Sequence, residues 1–115
     1  MEDIIVKATP LFEQRAKKLM TKDALAELVQ YLEQYPEQGK VMSGTSGVRK
    51  LRWKSGLNDK GKSSGVRILY HYSKGLLVLL ITLYSKSEKE NLTEAERNEL
   101  KRLVPATVAK YKGEL

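Results

Sequence analysis

The sequence predicts an α+β domain in which two N-terminal helices and one C-terminal helix pack on a twisted antiparallel sheet. Residues 10–35 hold two successive stretches with helical apolar spacing, and residues 48–84 hold three segments with strand character. Thr93 and Glu96 then supply the S/T-x-x-E pattern that opens a last helix. At 115 residues the chain can bury one modest core and not two, so residues 1–115 are read as a single domain.

Residues 3–7 (DIIVK) suit a short edge strand. Thr9 before Pro10 marks a helix start, because threonine caps and proline is tolerated at the first helical position. Phe12, Ala16, Leu19 and Met20 share one face of that helix. A second helix begins near residues 21–23, places Leu25, Leu28, Val29 and Leu32 on one stripe, and ends at Tyr35, the residue before Pro36. In VRKLRWK (48–54), Leu51 and Trp53 alternate with Lys50, Arg52 and Lys54, so one face is apolar and the other basic. VRILYHY (66–72) alternates Val66, Ile68, Tyr70 and Tyr72 against Arg67, Leu69 and His71. After a tight turn at residues 73–75, LLVLLITLY is apolar on both faces, as a central strand should be. These segments predict an antiparallel meander with the helices on one side of it. In the last helix Leu100, Leu103, Val104 and Tyr111 form the inner stripe, and Pro105 predicts a kink or break.

No apolar run approaches the roughly 18 residues of a membrane-spanning helix, so no membrane association is expected. The start MEDIIVKATP is acidic where a secretory signal is basic. The chain has no cysteine, which rules out disulfides and thiolate zinc sites and fits a cytoplasmic location.

The net charge of +7 is unevenly placed: residues 49–67 hold seven basic residues and one acidic residue, whereas residues 1–48 hold six and seven. Concentrated charge of this kind raises the potential toward a polyanion. The stretch KSGLNDKGKSSGVR (54–67) lies at its centre, and its glycines and serines would let the backbone approach a phosphate closely. Other chemistries find little support. His71 is the only histidine, so a two-histidine acid–base pair is excluded. It shares a face with Arg67 but stands about 13 Å along the strand, which suits a flanking substrate contact. The acidic residues show no metal or glycosidase spacing, and Ser63 and Ser64 have no adjacent histidine. RNA carries its own nucleophile in the 2′-hydroxyl, so cleaving it requires only charge neutralisation and proton transfer, with no metal or cofactor. Lys60, Lys62, Arg67 and Lys86 could supply both, with lysine pKa values lowered if these cations converge. Arg52 and Lys54 on the basic face would bind substrate, as would Tyr84 at the sheet rim, while Trp53 falls on the core side.

The string GVRKLRW, a Gly/Lys/Ser loop, GVRILYHY, then LLVLLITLYSKSEKENLT and a closing helix resembles the RelE superfamily of bacterial type II toxin–antitoxin toxins, most closely its HigB-like branch. The resemblance covers roughly residues 40–104. It implies the RelE-like fold, metal-independent cleavage of mRNA on the translating ribosome, and neutralisation by a cognate antitoxin of the HigA-like, helix-turn-helix kind, through which alone operator DNA would be contacted. Lys60 and Lys62 match the family's loop lysines. Arg67 matches the arginine expected on the scissile phosphate, and Lys86 matches the basic residue after the last strand. Ser87 stands where a second arginine is often found, and no tyrosine lies between Ser85 and Val104 to act as the late stacking residue; these departures leave the general acid unassigned and make Lys86 or Tyr84 the substitute. Two alternative readings stand beside this one: a ParE-like inhibitor of DNA gyrase, whose branch shares the fold but generally lacks the basic set, and a non-catalytic nucleic-acid-binding domain.

Overall fold

The structure is a computed structural model that describes residues 3–57 and 65–115. Along the chain it runs β1 (Ile5–Ala8), α1 (Pro10–Leu19), α2 (Lys22–Gln34), β2 (Lys40–Val41), β3 (Val48–Trp53), β4 (Val66–Ser73), β5 (Leu77–Ser85) and α3 (Glu94–Gly113). The strands form one five-stranded sheet in the order β1-β5-β4-β3-β2. The result is an α+β domain of three helices on a sheet, consistent with a RelE-like fold. Among the described residues no helix is long and apolar enough to cross a membrane.

Two expectations need correction. The sheet is mixed, because β1 is an edge strand that runs parallel to β5, pairing Ile5 with Leu77 and Ala8 with Leu80. The β2–β3–β4–β5 meander is antiparallel. The helices also occupy both faces. On one face α1 and α2 bury Phe12, Ala16, Leu28 and Leu32 against Val66, Ile68, Tyr70 and Leu80. On the other, α3 buries Val104 and Val108 against Leu69, Leu77, Leu79 and Ile81. A strand apolar on both sides needs cover on both sides, and β5 obtains it this way.

Local chemistry fixes the junctions. The Thr9 hydroxyl accepts the Phe12 amide N–H at 3.1 Å, capping α1, and donates to the Ile81 carbonyl at 2.6 Å, tying the helix start to β5. Thr21 caps α2 through Ala24, and Thr93 with Glu96 forms the expected capping box of α3. Between Leu69 and Tyr70 of β4 the register shifts, leaving Ile81 as an extra residue on β5. That bulge returns Leu83 to the α1/α2 core and sets Tyr84 on the α3 face.

Pro105 does not break α3, which continues to Gly113. The proline is exposed, and the carbonyl its missing N–H would have met, that of Lys101, accepts the Ser46 hydroxyl at 2.9 Å instead. Arg97 donates to the Ser43 carbonyl beside it. The inner stripe of α3 is Leu100, Val104, Val108 and Tyr111, while Leu103 is 44% exposed and lies off it.

Candidate nucleic-acid interface

The register of the meander places Arg52 opposite Arg67 and Arg67 opposite Tyr84, one cross-strand row on the α3 face of β3, β4 and β5. Beyond that row Val66 pairs with Ser85, and the Lys86 amide reaches the Gly65 carbonyl at 3.4 Å. Arg52, Arg67, Tyr84 and Lys86 thus converge at one end of the sheet. Lys60 and Lys62 lie outside the described residues.

Arg67 sits at the centre and is only 8% exposed. Among the described residues no carboxylate or hydrogen-bond acceptor satisfies its guanidinium. The nearest charged neighbour in register is another arginine. A buried cation costs free energy unless it is paired, and Arg67 also lines a cleft from which a partner could reach it. The guanidinium fork matches a phosphate's oxygens.

Tyr84 is not the rim residue expected from the sequence. It is 3% exposed, its hydroxyl is buried without a hydrogen-bond partner among the described residues, and Lys89 Nζ lies 5.5 Å from its ring centroid. Burial raises the phenol's pKa, an effect partly opposed by the Arg67 charge. Tyr84 therefore backs Arg67 instead of offering a free stacking face.

Lys86 is held by residues the sequence did not single out. Glu88 accepts the Ser85 amide at 3.1 Å, and its own amide donates to the Ser85 hydroxyl, closing the turn around Lys86. Arg15 of α1 grips Glu88 with one nitrogen, at 2.8 and 2.7 Å from the two carboxylate oxygens, and the Leu83 carbonyl with its Nε. The Ser85 amide and Arg15 hold the Glu88 carboxyl below the usual range. Lys89, next in the segment, is ion-paired with the capping-box residue Glu96.

A cleft of about 680 Å³ opens beside this cluster, running from Gly65 and Arg67 past Arg52 and Trp53 to α2. Lys54 lies on its wall but is ion-paired to Glu27 at 2.8 Å. Trp53 packs on the α1/α2 core, as its parity requires, and also lines the cleft. Its Nε1 donates to the Ala24 carbonyl at 3.0 Å. Tyr31, beside it on α2, is a second cleft residue that the sequence reading passed over; with Tyr35 it forms an i,i+4 aromatic pair, which was the available signal.

His71 lies apart from this end, opposite Val48 and Leu79 and four positions along β4 from Arg67. Its Nδ1 is buried without a hydrogen-bond partner among the described residues. Burial, then the charges of Lys112 and Arg49, hold the imidazole below its ordinary pKa. The unfolded chain therefore binds this proton more readily than the folded one. Stability is full above about pH 6.5 and falls as pH drops from there through the lowered folded value. Urea titrations from about pH 7 to 5 should show this slope, and His71→Gln should flatten it; an equal slope in the variant would assign it to other groups.

A comparison of the chain with models of known protein families finds no match.

Proposed function

We propose that this protein is a ribosome-dependent, metal-independent endoribonuclease that cleaves mRNA, acting as the toxin of a type II toxin–antitoxin pair in the cytoplasm. The observation that carries the proposal is Arg67: a largely buried arginine lining the cleft without an acidic partner among the described residues, with Arg52 and Tyr84 on either side and Lys86 held at the adjoining turn. In the proposed reaction the 2′-oxygen attacks phosphorus, the bond to the 5′-oxygen breaks, and a cyclic phosphate and a free 5′-hydroxyl result. Arg67 neutralises the charge that builds on the non-bridging oxygens. One lysine of the set Lys60, Lys62 and Lys86 takes the 2′-hydroxyl proton, and another protonates the leaving oxygen. A helix-turn-helix antitoxin would neutralise the protein by covering the same cations.

The remote position of His71 favours a second reading, a nucleic-acid-binding domain without catalysis, since the one imidazole is not at the cationic end. Programmed ribosomes incubated with the purified protein and a chelator separate the two. New message ends with 5′-hydroxyls are expected. Salt-sensitive binding with intact message would select the binding domain, and an inhibited gyrase with intact message would select the ParE-like alternative.

A further inference from the structure

Resting on the nucleic-acid reading, we infer that the cleft between α2 and β3 is a nucleobase subsite, in which unpaired RNA bases stack on Tyr31 and Trp53 within it and on Tyr35 just outside it, while Arg52 and Arg67 hold the adjoining phosphates.

The three rings form a continuous series. Tyr35 and Tyr31 have centroids 5.1 Å apart with planes tilted by 45°, and Tyr31 and Trp53 have centroids 5.1 Å apart tilted by 46°. Trp53 cannot rotate freely, because its indole N–H is committed to the Ala24 carbonyl. At the other end of the series Tyr35, the C-cap of α2, is 52% exposed where core packing does not require an aromatic residue. Tyr31 and Trp53 line the cleft together with the amides of Gln30 and Gln34. A nucleobase has an apolar face and an edge of donors and acceptors, and aromatic rings beside carboxamides match both.

Charge decides between a nucleic acid and a peptide as occupant. Arg52, Lys54 and Arg67 line the cleft, with Glu27 as the acidic residue. Lys54 and Glu27 are ion-paired to each other. Two guanidiniums are left, neither with an ion pair among the described residues, at the same end as the rings begin. Phosphates linked to bases place negative charge and flat apolar surface in that alternation.

Trp53 is the only tryptophan in the chain, so its fluorescence reports on this cleft. The probe is a single-stranded 2′-O-methyl oligonucleotide of about eight nucleotides, whose blocked 2′-oxygen prevents cleavage, compared with an abasic oligonucleotide of the same length. The base-bearing strand should quench Trp53 and bind about tenfold more tightly than the abasic strand. Tyr35→Ala should weaken the base-bearing strand about five- to tenfold and leave the abasic strand unchanged, and Tyr35→Phe should restore binding. If both strands bind equally well with no base-dependent quenching, the subsite is overturned while the phosphate-binding reading stands, and the aromatic series would then suit a protein partner. If neither strand binds at low salt, both the subsite and the proposed function are overturned.

Discussion

Under the proposed function, replacing Arg67 with methionine is expected to slow cleavage sharply without costing stability. The loss in rate should be about 10²- to 10³-fold, the usual consequence of removing one donor aimed at developing oxyanion charge. Most substitutions of a residue this buried destabilise a protein, and this one should not. The guanidinium has no acidic partner among the described residues and faces Arg52 across the strand pair. An apolar side chain of similar length removes both the desolvation penalty and the repulsion, so the melting temperature should hold or rise by roughly 4 °C, corresponding to about 1 kcal/mol. Such an exchange of stability for a charged, preorganised centre is the pattern of a functional site. Arg67→Lys should keep the charge, lose the two-pronged geometry and fall between the two. A melting temperature lowered by about 8 °C or more in Arg67→Met would make the arginine a structural residue, and unchanged cleavage by that variant would sink its catalytic role.

The second large effect concerns Tyr70, which is fully buried. Its hydroxyl accepts the Gly39 amide at 2.8 Å and donates to the Pro36 carbonyl at 2.9 Å, so one oxygen ties the α2–β2 connection to the middle of the sheet. Phenylalanine at this position would orphan a buried N–H, and the expected cost is about 2 kcal/mol, visible as a melting temperature roughly 8 °C lower. A loss below about 0.5 kcal/mol would mean that solvent reaches the freed groups. Gly39 is constrained by the same ring, since a Cβ there would stand 2.8 Å from it. Burial raises the Tyr70 pKa above its usual value. This contribution is full below about pH 10 and is lost as pH rises through the higher folded value, so wild-type protein should show an alkaline decline that Tyr70→Phe reduces.

Much of the architecture could be read from periodicity, and the parts that could not have physical reasons. Alternation in residues 66–72 separated Val66, Ile68 and Tyr70 from Arg67 and Leu69, and the structure keeps that division. β1 was legible as an edge strand, but four residues carry no sign of direction, and its parallel pairing follows from where β5 begins. The two-sided apolar character of β5 already implied cover on both faces; placing all helices on one side neglected it. The bulge at Ile81 had no local signal such as glycine, and Pro105 misled because its compensation comes from Ser46, far away in sequence. At the site, an arginine within a strand pointed to a groove or a partner. The Arg15–Glu88 clamp joins residues too far apart in sequence for any pattern to couple them.

The cross-strand row also sets an order of events during synthesis. Chains emerge from the ribosome N-terminus first, and α1, α2 and β3 precede every partner needed to complete the cationic cluster. Arg67 gains Tyr84 and the Lys86 turn only when β5 docks, and α1 is tied to β5 through Thr9 and Ile81 at the same stage. A nascent chain is therefore without its assembled cationic cluster until the residues through Lys86 have been made. Under the proposed function, a ribosome making the segments up to β4 therefore meets no assembled cationic cluster on the chain it is producing.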